Sequence, residues 1–162
     1  MSRFAVLAVC AIGVAALVAP QSASAALTGI AKSCGSNCGS LDATGTGTLG
    51  VNGNGAEWGS ISSGTVKVQD KSSNGHKDWS LTINGNPCKT TADPSNSNVR
   101  VCTSTRTIYF SVSTVWWLQV KGRGVSLSVV ASGGVYIKGS GGYHLNGGSR
   151  RSWPSGGASF KL

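Results

Sequence analysis

The side chains able to do covalent or acid–base chemistry are few. The chain holds five carboxylates (Asp42, Glu57, Asp70, Asp78, Asp93), two histidines (His76, His144) and five cysteines (Cys10, Cys34, Cys38, Cys88, Cys102). Glycoside hydrolysis needs two carboxyl groups facing each other across a cleft. Glu57 is the only glutamate, and no carboxylate shares an obvious face with it. Most of the aspartates fall among turn-forming residues, where side-chain to backbone hydrogen bonds account for them. A Ser-His-Asp hydrolase would draw on His76, in the polar run Ser72-Ser-Asn-Gly-His-Lys-Asp78, or on His144, which alternates with Tyr143 and Leu145 and points outward from a strand. The Gly-x-Ser-x-Gly elbow of such enzymes does not occur.

A sharper enzymatic expectation uses His76, Cys102 and Arg106. The run Val101-Cys-Thr-Ser-Thr-Arg106 resembles the strand-end Cys and Arg of sortase-type transpeptidases, which are exported β-barrel enzymes. That resemblance implies a cell-wall-modifying cysteine enzyme. The chain departs from it: the Thr-Leu-x-Thr-Cys motif is absent and Arg106 follows too soon. Cys102 also has a disulfide partner in Cys88, and pairing removes the thiolate that the chemistry requires. With Cys10 in the leader, Cys34, Cys38, Cys88 and Cys102 form two disulfides with three conceivable connectivities. The expected pairs are Cys34–Cys38, closing Cys-Gly-Ser-Asn-Cys, and Cys88–Cys102, closing a polar loop around Asp93-Pro94. Zinc would want Cys-x2-Cys pairs or nearby histidines, and these spacings supply neither. Neither a metal nor a cofactor is expected.

Binding chemistry is better represented than catalysis. Fourteen Lys and Arg against five acids give a net charge of +9, a positive field that attracts anionic polymers. Lys121, Arg123, Lys138, Arg150 and Arg151 are expected together near one end of the last hairpins. Trp117, Tyr109 and Tyr136 have outward parity, and aligned exposed rings can stack on sugars. No nucleic-acid motif frames Lys121-Gly-Arg-Gly124 or Ser149-Arg-Arg-Ser-Trp153, and an exported chain does not meet intracellular nucleic acid. Trp117, Lys121, Arg123, Tyr136, Lys138, Arg150 and Arg151 are therefore the candidate binding residues, and an anionic cell-wall polymer or polysaccharide is the expected partner.

The elements that must position them are strands. From Val115 to Gly148 apolar residues occupy every second place, in Trp116, Leu118, Val120, then Val125, Leu127, Val129, then Val135, Ile137, then Tyr143, Leu145, with glycines between the groups. A period of two predicts half-buried strands, and the spacing near ten residues predicts a meander of four short strands joined by glycine turns. Earlier strands are predicted over 46–52, 56–61, 64–70, 79–83, 99–103 and 106–112, and a last one over 158–162. Residues 26–43 read as an irregular, disulfide-bearing arm. Clean alternation without crossover helices predicts an all-β fold: a small antiparallel sandwich or barrel with meander hairpins and nine or ten short strands. A short β-solenoid is the alternative.

Arg3, the apolar run 4–19, Pro20 and the small-residue segment ending at Ala25 match a secretory signal peptide cleaved after Ala25. Residues 26–162 are then one exported domain, expected to be monomeric and without a membrane span. The run Val120-Lys-Gly-Arg-Gly-Val-Ser-Leu-Ser-Val-Val130, followed by Gly134 to Gly147, resembles the C-terminal part of uncharacterised secreted proteins of high-GC Gram-positive bacteria. His144 stands where those proteins carry Ser. The resemblance implies export and glycine-spaced strands, and it assigns no activity.

Overall fold

The computed structural model describes residues 37–70 and 77–162, without the side chains of Asp70 and of residues 114–116. Among the described residues, nine antiparallel strands form one sheet: β1 (Gly39–Ile61), β2 (Ser63–Asp70), β3 (Trp79–Ile83), β4 (Asn86–Pro87), β5 (Thr91–Asp93), β6 (Asn96–Ser104), β7 (Ile108–Leu145), β8 (Arg151–Ser152) and β9 (Ala158–Lys161). The all-β, antiparallel expectation holds. Two strands are far longer than alternation alone indicated, since β1 runs for 23 residues and β7 for 38.

The expected meander over Val115–Gly148 is therefore mostly one continuous strand. Its glycines bend the strand instead of ending it. Gly64, Gly122, Gly47 and Gly139 are successive cross-strand neighbours, in a row spanning four strand segments. All four take φ between +140° and +158°, where a side chain is strained. A Cβ on any of them would also strike a backbone carbonyl of the adjoining strand: Lys121 for Gly64, Ser63 for Gly122, Lys138 for Gly47 and Thr46 for Gly139. Only glycine permits that close approach, so the sheet folds along this line.

Bending lets β1 and β7 coil around each other. Leu127 of β7 pairs with Ala43 on one side and Gly59 on the other, so distant parts of β1 lie two strands apart with β7 between them. The result is a single sheet curled into an open half-barrel. Its inner surface is apolar, with Leu41, Leu49, Ile61, Val66, Val68, Leu118, Val120 and Ile137 all at 0% exposure. Each such side chain contributes ~1.5–3 kcal/mol on burial.

Leu41 and Ala43 belong to this core, so the N-terminal arm expected to reach residue 43 gives way to strand at Gly39. The alternation Leu41-Asp42-Ala43-Thr44 is the physical reason: it puts the two apolar residues on the inner face. Asn84 and Gly85, both at positive φ, make the two-residue turn between β3 and β4. The last residues pack back onto β7. The Trp153 indole N–H donates to the Gly142 carbonyl at 3.1 Å, and Tyr143 stacks on Phe160 with centroids 5.4 Å apart. Leu162 N–H donates to the Gly133 carbonyl, and the Asn146 amide oxygen accepts from Ser40 N–H.

Candidate functional site

On the outer surface formed by β6, β2, β1, the middle and later parts of β7, and β9, three rows of side chains cross the strands. The first runs Thr103–Thr65–Lys121–Thr48–Lys138. The second runs Lys67–Gln119–Gly50–Tyr136–Ser159, and the third Gln69–Trp117–Asn52–Gly134–Lys161. Their strand neighbours Val66, Val68, Leu118, Val120, Leu49, Val51, Val135 and Ile137 are buried. Strand alternation accordingly turns the three rows towards solvent.

Gly50 and Gly134 leave a gap in this surface. Trp117, half-buried, stands on one side and Tyr136, 37% exposed, on the other. The gap is a shallow trough of about 330 Å³ lined also by Asn52, Gln119 and Ser159. Amide and hydroxyl groups thus sit between two aromatic rings. The hydroxyl end of the Tyr136 ring lies against Gly157, where an added Cβ would strike it.

The charge of this face is one-sided. Lys121, Lys138 and Lys161 are exposed. The face's fourth lysine, Lys67, makes a 2.5 Å ion pair with Asp93. Asp93 also accepts from the Ser95 backbone N–H and hydroxyl, and these bonds with Lys67 hold its carboxyl far below the ordinary range. The turn around Asp93 is tied to β2, and its negative charge is already matched. Lys161 escaped the sequence-based candidates, although its alternation with Phe160 and Leu162 places it outward.

The structure divides the predicted basic set. Lys121 and Lys138 share the trough's face, and Arg123 continues the strand of Lys121 just past the glycine bend, opposite Ser63. Arg150 lies elsewhere: its guanidinium covers Gly142, whose cross-strand neighbours are Thr44 and Ser152, beyond the bend at Gly139 and Gly141. Arg151, on the short edge strand β8, pairs with Tyr143 of β7. One end of consecutive hairpins cannot collect all five, because β7 has no hairpins and its bends carry Arg150 and Arg151 away.

The residues weighed for catalysis are not assembled. Cys102 is 0% exposed and joined to Cys88 in a disulfide, so its sulfur is no nucleophile. Arg106 is exposed, with its N–H bonded to the Ser104 hydroxyl. His76 and Cys34 lie outside the described residues; Cys38 is disulfide-bonded. Ser128, Asp42 and His144 do share one cross-strand row. Their order is wrong for a triad, because Ser128 donates directly to Asp42 at 2.6 Å while His144 Nδ1 is 3.0 Å from the Gly148 carbonyl oxygen. Among the described residues, no three His, Cys, Asp or Glu side chains come together as a metal site.

Glu57 is the unexpected residue. It points inward from β1 between Val112 and Val129, is 1% exposed, and neither carboxyl oxygen has a hydrogen-bond partner among the described residues. Desolvation pushes its carboxyl well above the ordinary value of 4.5, favouring the protonated form. The spacing Glu57-Gly59-Ile61 carried the signal for this inward direction. No known protein family, curated protein or solved structure matches the chain.

Proposed function

We propose that the protein is an exported, non-catalytic domain that binds an anionic saccharide polymer of the cell envelope through the Trp117–Tyr136 trough and its lysines. One observation carries the reading: Lys121 and Lys138 flank Thr48 on the same outer face that holds two aromatic rings across a glycine gap. The lysines supply attraction to acidic groups, and the rings supply flat apolar surfaces for sugar C–H faces. Gln119 and Ser159 place an amide and a hydroxyl group between them. The signal-like N-terminus and the Cys88–Cys102 disulfide support an oxidising, extracytoplasmic location. No helix among the described residues is long and apolar enough to cross a membrane.

Co-sedimentation of the purified protein with cell wall tests the reading. Pelleting at low ionic strength that declines as salt rises is the expected outcome, since the Debye length shrinks from ~30 Å at 0.01 M to ~3 Å at 1 M. Protein that stays in the supernatant at low salt overturns it.

A further inference from the structure

Tyr109, 55% exposed, is the most exposed large apolar side chain among the described residues, and it lies away from the trough just described. Ile108, Phe110 and Val112 face the core, so Tyr109 and Ser111 face out. Leu81 turns Ser80 and Thr82 outward in the same way, and Ile61 does so for Ser60 and Trp58. Two rows result, Thr82–Tyr109–Ser60 and Ser80–Ser111–Trp58. Tyr109 and Trp58 are diagonal neighbours on adjoining strands, with backbones roughly 7–8 Å apart. Between them is a second shallow trough of about 360 Å³, rimmed by Ser60, Ser80, Thr82 and Ser111. On β1 the bend at Gly53 and Gly55 separates it from Asn52 and the first trough.

The two troughs share a plan, one Trp and one Tyr with small polar residues between. Neither lining includes a charged side chain, but they differ in their surroundings. Lys67, Lys121, Lys138 and Lys161 stand in the rows of the first face, and the two rows of the second carry no charged residue. Its four hydroxyls disfavour a lipid or a wholly apolar ligand, which would leave those groups unpaired. An ionic ligand would find no countercharge there. A pyranose ring matches both parts of the lining, with apolar C–H faces for the rings and equatorial hydroxyls for the Ser and Thr rim.

We propose that the Trp58–Tyr109 trough is a second binding site, which takes the uncharged sugar rings of a neutral polysaccharide. It does not depend on the lysine-bearing face. Two sites on different parts of the curled sheet let one molecule hold two chains, or one chain with avidity.

Retention of the full mature chain on microcrystalline cellulose, chitin and curdlan in 1 M NaCl tests this, because surface charges are then screened beyond ~3 Å. The expected result is retention on at least one glycan, unchanged between 0.1 and 1 M NaCl, and reduced at least tenfold by Tyr109→Ser. Trp58→Ala should have the same effect. Tyr109 carries the decision because its side chain is mostly in solvent, and an unchanged circular dichroism spectrum shows that Tyr109→Ser is folded. Absence of retention on all three glycans overturns the proposal. So does retention that survives Tyr109→Ser, or that is lost only in Trp117→Ala.

Discussion

Lys121 and Lys138 stand two strands apart on one outer face, with Thr48 the direct cross-strand neighbour of both. Their ammonium groups are presented by a bent but continuous β7, which passes β1 on both sides. The strand spacing of ~4.8 Å puts their backbones ~10 Å apart, about one Debye length at 0.1 M salt. An anionic chain crossing the strands meets both charges at once. The adjacent trough then sets the unscreened part of the affinity. Trp117→Ala is expected to leave the salt slope of wall binding unchanged while weakening binding at every salt concentration by roughly five- to tenfold, ~1 kcal/mol for a lost ring platform. Pelleting measured from 0.05 to 0.5 M NaCl checks both parts.

Glu57 sets a pH dependence for stability. Its folded-state pKa lies above its unfolded value, so the native protein keeps a proton that the unfolded chain releases as pH rises past about 4.5. Stability attributable to this group is greatest below that pH and falls as pH increases towards the folded value. Urea midpoints of the wild type are expected to fall between pH 4 and pH 7, and Glu57→Gln should flatten that segment. Glu57→Met should raise stability at pH 7 by on the order of 1–3 kcal/mol, because an unpartnered buried polar group is removed. A Glu57→Gln variant with the wild-type slope would show that another group titrates.

Asp93 acts in the opposite direction. Its pKa is lowered by Lys67 and Ser95, so its contribution is complete above the ordinary carboxylate value of 3.8 and is lost as pH falls below it. Asp93→Asn should be less stable than the wild type at pH 7, with the difference shrinking at pH 2. The same variant should show faster proteolysis between Cys88 and Cys102, where the turn loses its tie to β2.

The Cys88–Cys102 link closes the loop that carries this turn. A loop of this size contributes ~3 kcal/mol in the chain-entropy view, so a Cys88→Ala/Cys102→Ala double variant should lose ~2–4 kcal/mol. The native protein should show no alkylation at Cys102 without reductant. Labelling of Cys102 in the folded, non-reduced protein would restore the thiol chemistry that the disulfide excludes.

Alternation made much of the core legible. Leu118, Val120, Val125, Leu127, Val129, Val135 and Ile137 are buried as their parity requires, and the side chain of Trp116 lies outside the described residues. Glycine was the ambiguous residue. In Gly122 and Gly139 it marks a bend within a strand, and the same letter marks a true turn at Gly85. Only the partner strand decides which, since the clash that demands glycine at 122 comes from the Ser63 carbonyl, far off in sequence. That ambiguity also misplaced Arg150 and Arg151. Trp117 with Lys121, and Tyr136 with Lys138, were legible as outward-facing pairs because two-residue periodicity acts locally; that Gly50 of β1 lies between the two segments depends on register. The Tyr109–Trp58 pairing was not, because it depends on the register of β7 against β1.

The most direct measurement compares two charge reversals in wall co-sedimentation across a salt series. Each exposed ionic contact is worth ~0.2–1 kcal/mol and a reversal adds repulsion, so Lys121→Glu/Lys138→Glu should weaken pelleting at low salt by roughly tenfold and flatten its salt dependence. Arg150→Glu/Arg151→Glu makes the same change in net charge away from the trough's face, and should pellet nearly as the wild type does. Equal losses in the two variants would mean that overall charge, and not the Lys121–Lys138 face, draws the protein to the wall, and would contradict the account.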